Sequence, residues 1–582
     1  MRLITPLHSI LFERLGWTED RLAEIDRPAA AVLQGLPDVV GALARARRDG
    51  IPVVVMPDFD ADGLTSGLIA FAGLAELGLS VHLDFGDYRW GHDITPARAR
   101  HLDETHRDHR GIVLTTDAGV NSADGIEALV NLGWQVVVTD HHQEDGVRTA
   151  AGLTARDLAL AVVDPCGIGE TYPDPAICGA QVAFKVVIAL AEALGADPWA
   201  VGRLRPLAAV GAISDVMPLL HESRVLVRDG LVDLAVLGAA GSPVMAGLRA
   251  ARAHPLLTQV LTGFAELAEF AAKGCGPLDS AGVAFSLAPM LNAVRRTEAC
   301  PAALPWQAVL HPDPQARQQF RVLLDENNTA RKERSGAVVA ALLKAADQPL
   351  APYVYLVDEV PGMLGLIAGA LAERQVGPVA VLRRTGGGGL AGSGRAGVAG
   401  VDLLAIAAGL DGVRAAGHAQ ACGVFAGCEA AAAALAEGLG AAHLAAQAGR
   451  PSPDQAWSAG LVFGDHPLAD AARPGDGQLL DLVDMIEPRG PFGHGWPRPV
   501  HLARSRRADI RLMSMSDGKH TRITLPWGLG LVWWNSAFER DDLAALPPGA
   551  EIDFAFELAK NTFRDQTKPQ GVVRSAAPRD PA

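Results

Sequence analysis

The sequence predicts an α/β multidomain chain: a parallel doubly wound sheet, then a long connector helix, a second α/β block and a small C-terminal β-barrel. Three observations predict it. Short β-branched runs alternate with helix-length segments in the first third, a charged helical pattern fills 313–346, and short alternating runs separated by turn signals close the chain.

The first strand is the apolar run Ile51 to Met56, followed by Pro-Asp-Phe-Asp-Ala-Asp-Gly with Asp58, Asp60 and Asp62 on alternate residues. In an extended segment those three carboxylates point the same way, and Gly63 permits the turn beyond them. Such a cluster repels itself unless cations sit in it. A calcium loop of the EF-hand type needs a preceding helix and a bidentate acid at its twelfth position. Here that position is Ile69 and the preceding run is strand-like.

The pattern repeats downstream. Gly111 to Thr116 ends in Asp117, and Trp134 to Thr139 ends in Asp140, His141 and His142. Helix-length segments, Leu64 to Leu79, Thr95 to Asp108 and Ser122 to Leu132, lie between or beside these runs. The carboxyl ends of strands in a doubly wound sheet open on one crevice, so acids and imidazoles scattered along the chain can meet there. Carboxylate and imidazole ligands suit Mn²⁺ or Mg²⁺, and no cysteine stands in these motifs to favour a structural zinc. The surplus of anionic ligands over the needs of one small cation suggests two divalent metal ions, an arrangement that clamps both oxygens of a phosphoryl transfer.

From Asp215 to about Leu310 the pattern is helical, and 313–346 reads as a connector helix. Val354 to Asp358, Leu364 to Arg374 and Val379 to Leu382 read as strand, helix and strand, followed by the glycine-rich Gly386 to Gly389 and Gly392-Ser393-Gly394-Arg395. A glycine-rich turn with serine and arginine can offer amides, a hydroxyl and a guanidinium to a phosphate. The alanine-rich Glu429 to Ala448 predicts a closing helix, since alanine is the strongest helix former. Four short runs beginning at Ile510, Thr521, Gly530 and Ile552 give the barrel, with Trp527, Trp533, Trp534 and Phe563 as aromatic candidates for nucleobases.

Composition sets limits on the setting. The 582 residues, 49% apolar and 5% aromatic, allow three or four helix-rich domains. Six cysteines without Cys-x-x-Cys imply neither a disulfide framework nor zinc fingers. No apolar run reaches the roughly 18 residues of a membrane span, so no membrane partner and a cytoplasmic location are expected. A net charge of −15 looks wrong for a nucleic-acid enzyme, yet acids gathered on metals are offset by them. Basic runs exist elsewhere: Arg317, Arg321, Arg331, Lys332 and Arg334 on the connector, and Arg504, Arg506, Arg507 and Arg511 near the end.

DFDADG, TTDAG and TDHH, in that order on strand ends, resemble the first three motifs of the DHH phosphoesterases. Gly211 to Leu219, with Asp215, resembles the later metal-binding motif. Pro289 to Ala293 with Arg296, and Asn328 to Lys332, resemble stretches of the RecJ-type single-strand exonucleases; Ala416 to Gly423 with the preceding glycine-rich segment resembles the DHH-associated domain. Pro491-Phe-Gly493 and Asp517-Gly-Lys-His520 resemble an OB domain of the same type.

The resemblance implies that Asp60, Asp62, Asp117, His141 and Asp215 hold the metals, with Asp58 beside them and His142 reaching the scissile phosphate. Asp140 is placed to orient an imidazole. By the same resemblance Ser393 and Arg395 meet a terminal 5′-phosphate, with Arg89 near it; Arg296 contacts the strand and His418 the phosphodiester near the metals. Asp164, ending another strand-like run, is left as structural. Departures from the family pattern are Arg89, displaced by two positions, Arg295 where a glycine is usual, and Ala415-Ala416 in place of Phe-Gly.

The expected organisation is an N-terminal segment and DHH domain over 1–235, a helical extension over 236–312, the connector over 313–346, and a DHH-associated domain over 347–448. A linker over 449–478 and an OB-like single-strand-binding domain over 479–578 complete it. The implied function is a two-metal exonuclease degrading single-stranded DNA from the 5′ end to mononucleotides in repair and recombination, with helicase and single-strand-binding protein as partners. Two alternatives stand beside it: a DHH enzyme for oligoribonucleotides, cyclic dinucleotides or 3′-phosphonucleotides, and an inactive replication scaffold.

Overall fold

The structure is a computed structural model; it describes residues 7–27, 31–274, 276–344, 350, 352–375, 377–448, 460–464, 473–516, 518–563 and 566–578. Contacts divide the chain into two units, one made of Ala29–Met217 with Leu226–Arg450, the other of Met1–Pro28, Pro218–Val225 and Pro451–Ala582.

The larger unit opens with five parallel strands in the order β2-β1-β3-β4-β5: β1 (Val53–Pro57), β2 (Val81–Leu83), β3 (Ile112–Thr116), β4 (Gln135–Thr139) and β5 (Ala161–Val163). Helices cover both faces, which is why β1 and β3 are buried throughout. Val54, Met56, Val113, Val136 and Val138 pack on one side against Ala99, Leu102, Ile126 and Leu129. Helices α1 (Ala61–Glu76), α2 (Gly179–Ala193) and α3 (Arg205–Ser214) pack against one another in the same unit.

The segment after β1 does not continue extended as the alternation of its acids suggests. Asp60 is the N-cap of α1, its Oδ1 accepting from the N–H groups of Asp62 (2.9 Å) and Gly63 (3.1 Å), so Asp62 stands in the first helical turn.

Helix α4 (Ala288–Thr297) leads to the connector α5 (Pro314–Lys344), whose 31 residues span about 45 Å. Beyond it, α6 (Pro361–Gln375) and α7 (Glu429–Ala448) flank a five-stranded sheet ordered β6-β7-β8-β10-β9. Its strands are β6 (Val354–Leu356), β7 (Val379–Arg384), β8 (Leu390–Arg395), β9 (Val413–His418) and β10 (Ala421–Ala426). Residues 392–395 thus lie on strand β8; the turn before them is Thr385 to Gly389, where Gly388 takes φ 84°.

The smaller unit holds seven strands, β11 (Val462–Gly464), β12 (Val500–Arg506), β13 (Arg511–Met515), β14 (His520–Thr524), β15 (Gly530–Trp533), β16 (Glu551–Phe563) and β17 (Gln566–Pro578), ordered β11-β12-β16-β17-β15-β14-β13. Phe463, Leu531, Phe554 and Phe556 form its core, into which Leu11 of the first helix, Leu7–Leu15, also packs. Trp17 stacks on Trp496 at 5.2 Å, and Arg224 donates to the carbonyls of Arg489 (2.7 Å) and Gly490 (3.1 Å). The N-terminal segment, read from sequence with the parallel sheet, therefore packs with the C-terminal strands. No single helix among the described residues is long and apolar enough to cross a membrane.

Candidate metal centre

Six residues converge from ends of different elements. Asp58 follows β1, Asp60 and Asp62 open α1, Asp117 follows β3, His141 follows β4, and Asp215 caps the C-terminus of α3. His141 Nε2 lies 3.1 Å from Asp117 Oδ1, 3.5 Å from Asp215 Oδ2 and 3.8 Å from Asp62 Oδ2. Ligand atoms of Asp58, Asp60 and Asp117 lie within 4.8 Å of one another; so do those of Asp62, His141 and Asp215, and those of Asp117, His141 and His142. Asp117 is common to two of these groups, the position a carboxylate shared by two cations would take.

Backbone geometry allows this crowding. A Cβ on Gly179 would stand 2.6 Å from the Asp117 carboxylate, and one on Gly211 would stand 2.4 Å from Asp62 Oδ1, so only glycine fits at either position. The N–H groups of Gly179 (2.7 Å) and Ala180 (3.1 Å), at the start of α2, donate to Asp62. Asp117 itself sits at φ 63°, a left-handed conformation that costs energy for a non-glycine residue and turns its side chain out of the strand direction.

The electrostatics call for cations. Burial, and then the neighbouring Asp60, push the Asp62 carboxyl up to about 6; burial, Asp62 and Asp60 push Asp215 up to about 8. Asp117 is raised well above the usual carboxylate range by burial and four surrounding aspartates, and its Oδ1 is buried without a hydrogen-bond partner. Burial also lowers His141 to about 4, leaving a neutral imidazole suited to ligation. Divalent ions fit this donor set of crowded carboxylates, one oxygen of which is buried without a partner, and a neutral ring nitrogen, and would relieve the mutual repulsion.

Asp140 serves the imidazoles rather than joining the carboxylates. Its Oδ1 lies 2.8 Å from His142 Nδ1 and accepts from the His141 N–H (2.8 Å), while Oδ2 accepts from the Val120 N–H (3.0 Å). Asp164, beside it at the end of β5, accepts from the Cys166 N–H and is pushed up to about 7 by burial.

Two residues were missed by sequence reasoning. His92 Nδ1 is 3.2 Å from Asp58 Oδ2 and its ring lies 4.4 Å from that of His142. Burial would lower His92, but the pairing with Asp58 wins and raises it to about 9. Arg295, where the family usually has glycine, places its guanidinium 3.5 Å from Asp60 Oδ2. The charge pattern Gly-His-Asp after the short turn Tyr88–Trp90 and the double arginine were the only signals available.

A run of cations leads away from the acids. Arg296 is lowered to about 10 by burial and by the like charges of Arg295, Arg331 and Arg395. Arg331 is buried and fixed by Asn328 Oδ1, which accepts from it at 3.0 and 2.8 Å. Arg395 Nη1 donates to Ser393 Oγ (2.7 Å), the two side chains sharing one face of β8. His418 is exposed at the end of β9, opposite Ala421. Arg89 is exposed and held by Asp87. Arg317 and Arg321 are buried on Glu266, so that part of the basic run braces the connector and offers no surface for DNA. Among the aromatics, Trp527 and Trp533 pack on the core of the smaller unit, Trp534 is exposed, and the side chain of Phe563 lies outside the described residues.

Comparison with known proteins agrees with this architecture. The DHH family, N-terminal domain, matches residues 52–202, and the RecJ OB domain matches 469–575. The single-stranded-DNA-specific exonuclease RecJ of Thermus thermophilus is 30% identical over 573 residues, covering 96% of this chain and 75% of the relative. The chain belongs to the RecJ family. The Escherichia coli RecJ is 27% identical over 577 residues, covering 94% of this chain and 91% of its own length. Among solved structures, RecJ from Thermus thermophilus in complex with Mn²⁺ superposes over 99% of this chain and 76% of its own, with TM-score 0.68 and 26% identity. The Mg²⁺ complex of the same RecJ gives TM-score 0.64 at 25% identity, covering 99% of this chain and 74% of its own.

Proposed function

We propose that this chain is a metal-dependent exonuclease that hydrolyses single-stranded DNA in the 5′ to 3′ direction, releasing mononucleotides. The observation that carries the reading is the convergence of five aspartates and a neutral histidine at the carboxyl end of the parallel sheet, with a partly buried arginine run leading from it to Ser393 and Arg395. Membership of the RecJ family, whose relatives are single-stranded-DNA-specific exonucleases, supports the substrate and reaction class.

Asp58, Asp60, Asp62, Asp117, His141 and Asp215 are the residues that would hold two Mn²⁺ or Mg²⁺ ions. When bound, such a pair neutralises the carboxylates and activates a phosphodiester for in-line attack by water. His142, held by Asp140 and left raised by it, can donate to the scissile phosphate. Arg295 and Arg296 draw the strand toward the acids, Ser393 and Arg395 take the terminal 5′-phosphate, and His418 meets the phosphodiester near the metals. The smaller unit guides the incoming strand, with Trp534 as a stacking surface. The setting is the cytoplasm, in DNA repair and recombination, with a helicase to supply single strands and a single-strand-binding protein to hold them.

Strands of single-stranded DNA labelled at either terminus, with a 5′-phosphate, 5′-hydroxyl or blocked 5′ end, test this directly in the presence of Mn²⁺ or Mg²⁺. Label at the 5′ end is expected to leave first, and Asp117→Ala is expected to lower the rate by at least about 10²-fold. Release from the 3′ end would refute the polarity, and an Asp117→Ala variant as active as the parent would refute the centre.

A further inference from the structure

The sheet β6-β7-β8-β10-β9 has two unlike faces. Ala380, Leu382, Leu390, Cys422, Val424, Ala426 and Val413 point to one side and are buried against the flanking helices. The other side carries Ser393 and Arg395, and pairing across the strands sorts it into rows. Arg395, Ala421 and His418 form one row; Ser393, Gly423 and Ala416 form the next; Arg383, Ala391, Phe425 and Arg414 form a third. Helix α6 covers this face over β6, β7 and β8, packing on Val379 and Val381 and approaching Ser393 and Arg395 at Gly365. Over β10 and β9 it is open: Gly423, Arg414, Ala416 and His418 are exposed, while Ser393 and Arg395 on β8 are half-buried.

The third row departs from the alanine and glycine of the second. The Arg414 guanidinium lies 4.6 Å from the centre of the Phe425 ring, presenting its outer face to solvent. A Cβ on Gly389 would stand 3.0 Å from that ring, so Phe425 is supported from below. Beside the row, a cavity of about 490 Å³ opens between the start of α6 and the β7–β8 turn, lined by Pro361, Leu364, Arg383, Thr385, Ala391 and Ser393. The Arg383 side chain has no hydrogen-bond or ion-pair partner among the described residues, whereas that of Arg384, on the opposite face, is paired with Glu429. The first and third rows are four residues apart along a strand, roughly 13 Å. The second row, with its phosphate-binding Ser393, lies between.

We propose that the cavity and the Phe425–Arg414 stack form a subsite for one nucleoside on the 5′ side of the phosphate held by Ser393 and Arg395. The inference rests on the exonuclease reading above. A strand with a 5′-phosphate fills the phosphate pocket with its own terminus and leaves the subsite empty. A strand with a 5′-hydroxyl has its first phosphate between nucleotides one and two. Placing that phosphate on Ser393 and Arg395 pushes the first nucleoside into the cavity, its base on the Arg414 plane and its sugar beside Arg383. The chemistry is the same in both registers: a water oxygen joins phosphorus, the P–O3′ bond breaks, O3′ leaves with a proton, and the phosphate stays as the new 5′ end. Only the first product differs, a mononucleotide from a phosphorylated end and a dinucleoside monophosphate from a hydroxyl end.

Mass spectrometry of the earliest products under single-turnover conditions, using the full chain with Mn²⁺, tests this. The 5′-hydroxyl strand is expected to yield dinucleoside monophosphate in excess over nucleoside. Arg414→Ala, and separately Arg383→Ala, should lower that ratio roughly tenfold, the equivalent of losing one base-stacking contact. A strand whose first residue is abasic should show the same fall with the unaltered protein, which keeps the test free of any folding defect in the variants. Nucleoside as the first product, or a ratio that neither variant nor the abasic end moves, would overturn the subsite while leaving the exonuclease intact. No hydrolysis of any strand would overturn both.

Discussion

Asp140 shows how one carboxylate sets the protonation of a neighbour. Burial alone would lower His142, but the 2.8 Å contact with Asp140 offsets this and leaves the imidazole raised. Asp140 itself is held well below the usual carboxylate range because His142 and the Val120 amide outweigh its burial. Replacing it with asparagine keeps the shape and removes the charge. Asp140→Asn is expected to lower kcat about 10–100-fold, as for other partners behind a functional imidazole, with little change in KM. Because His142 then loses its proton more readily, the upper limit of the pH–rate profile should move to lower pH. An unchanged profile would show that Asp140 only fixes the backbone of the loop. Legibility at this scale was uneven. Asp58, Asp60, Asp62, Asp117 and His141 were readable because they follow apolar runs that end at one edge of a parallel sheet, whereas Asp215, at the C-terminus of helix α3, was readable only through the family motif. His92 and Arg295 were not, because a loop and a helix carry no periodicity that says which side chain turns inward. Arg317 and Arg321 misled for the opposite reason: their acid, Glu266, is 51 and 55 residues away in sequence.

Elements were easier to place than their edges. The strands β1, β3 and β4, the connector and the alanine-rich helix fall where the apolar runs and helix formers put them. The start of α1 was missed because alternation of the three aspartates was taken for extended backbone. The capping role of Asp60 ahead of the apolar stretch 64–75 was the competing signal, and two backbone N–H bonds decided for the helix. Strand β12 carries a further consequence. His501 is fully buried against Phe463 and Phe556, accepts from the Leu461 N–H at 3.3 Å, and is lowered by burial to about 3. In the unfolded chain it titrates at its ordinary value, so between these limits the unfolded state binds the proton and the native state does not. Its contribution is neutral above about pH 6.5, and the smaller unit should lose up to about 1.4 kcal/mol of stability per pH unit as pH falls below that. Thermal melts between pH 8 and pH 4 should show that slope, and His501→Phe should flatten it while costing about 1 kcal/mol at pH 8 through the orphaned Leu461 amide. Parallel slopes in the two proteins would remove His501 as the cause.

At the scale of the whole molecule, continuity in sequence and continuity in space disagree. The smaller unit is assembled from three separate stretches, and the apolar partners of its core include Leu11 and, in a second cluster, Trp17 and Ile25 near the start of the chain. Sequence patterning could show that these helices are amphipathic; it could not say which apolar surface they meet. The consequence bears on any attempt to isolate a minimal catalytic fragment. A chain ending at residue 450 would keep Leu11, Trp17, Ile25 and Leu219 while losing Phe463, Trp496, Phe554 and Phe556, so side chains that are almost wholly buried would face water. At about 25 cal/mol per Å² of exposed apolar surface, a few such residues amount to several kcal/mol, comparable with the stability of a typical domain. Arg224 would also lose the carbonyls of Arg489, Gly490 and Pro491, leaving a guanidinium built for burial with fewer acceptors. The 1–450 fragment is therefore expected to bind hydrophobic dye strongly and to be cleaved by protease within its first 28 residues and around 218–225, both of which the full chain should resist. A fragment that stays monodisperse, dye-silent and protease-resistant would mean that those stretches find adequate cover within the larger unit.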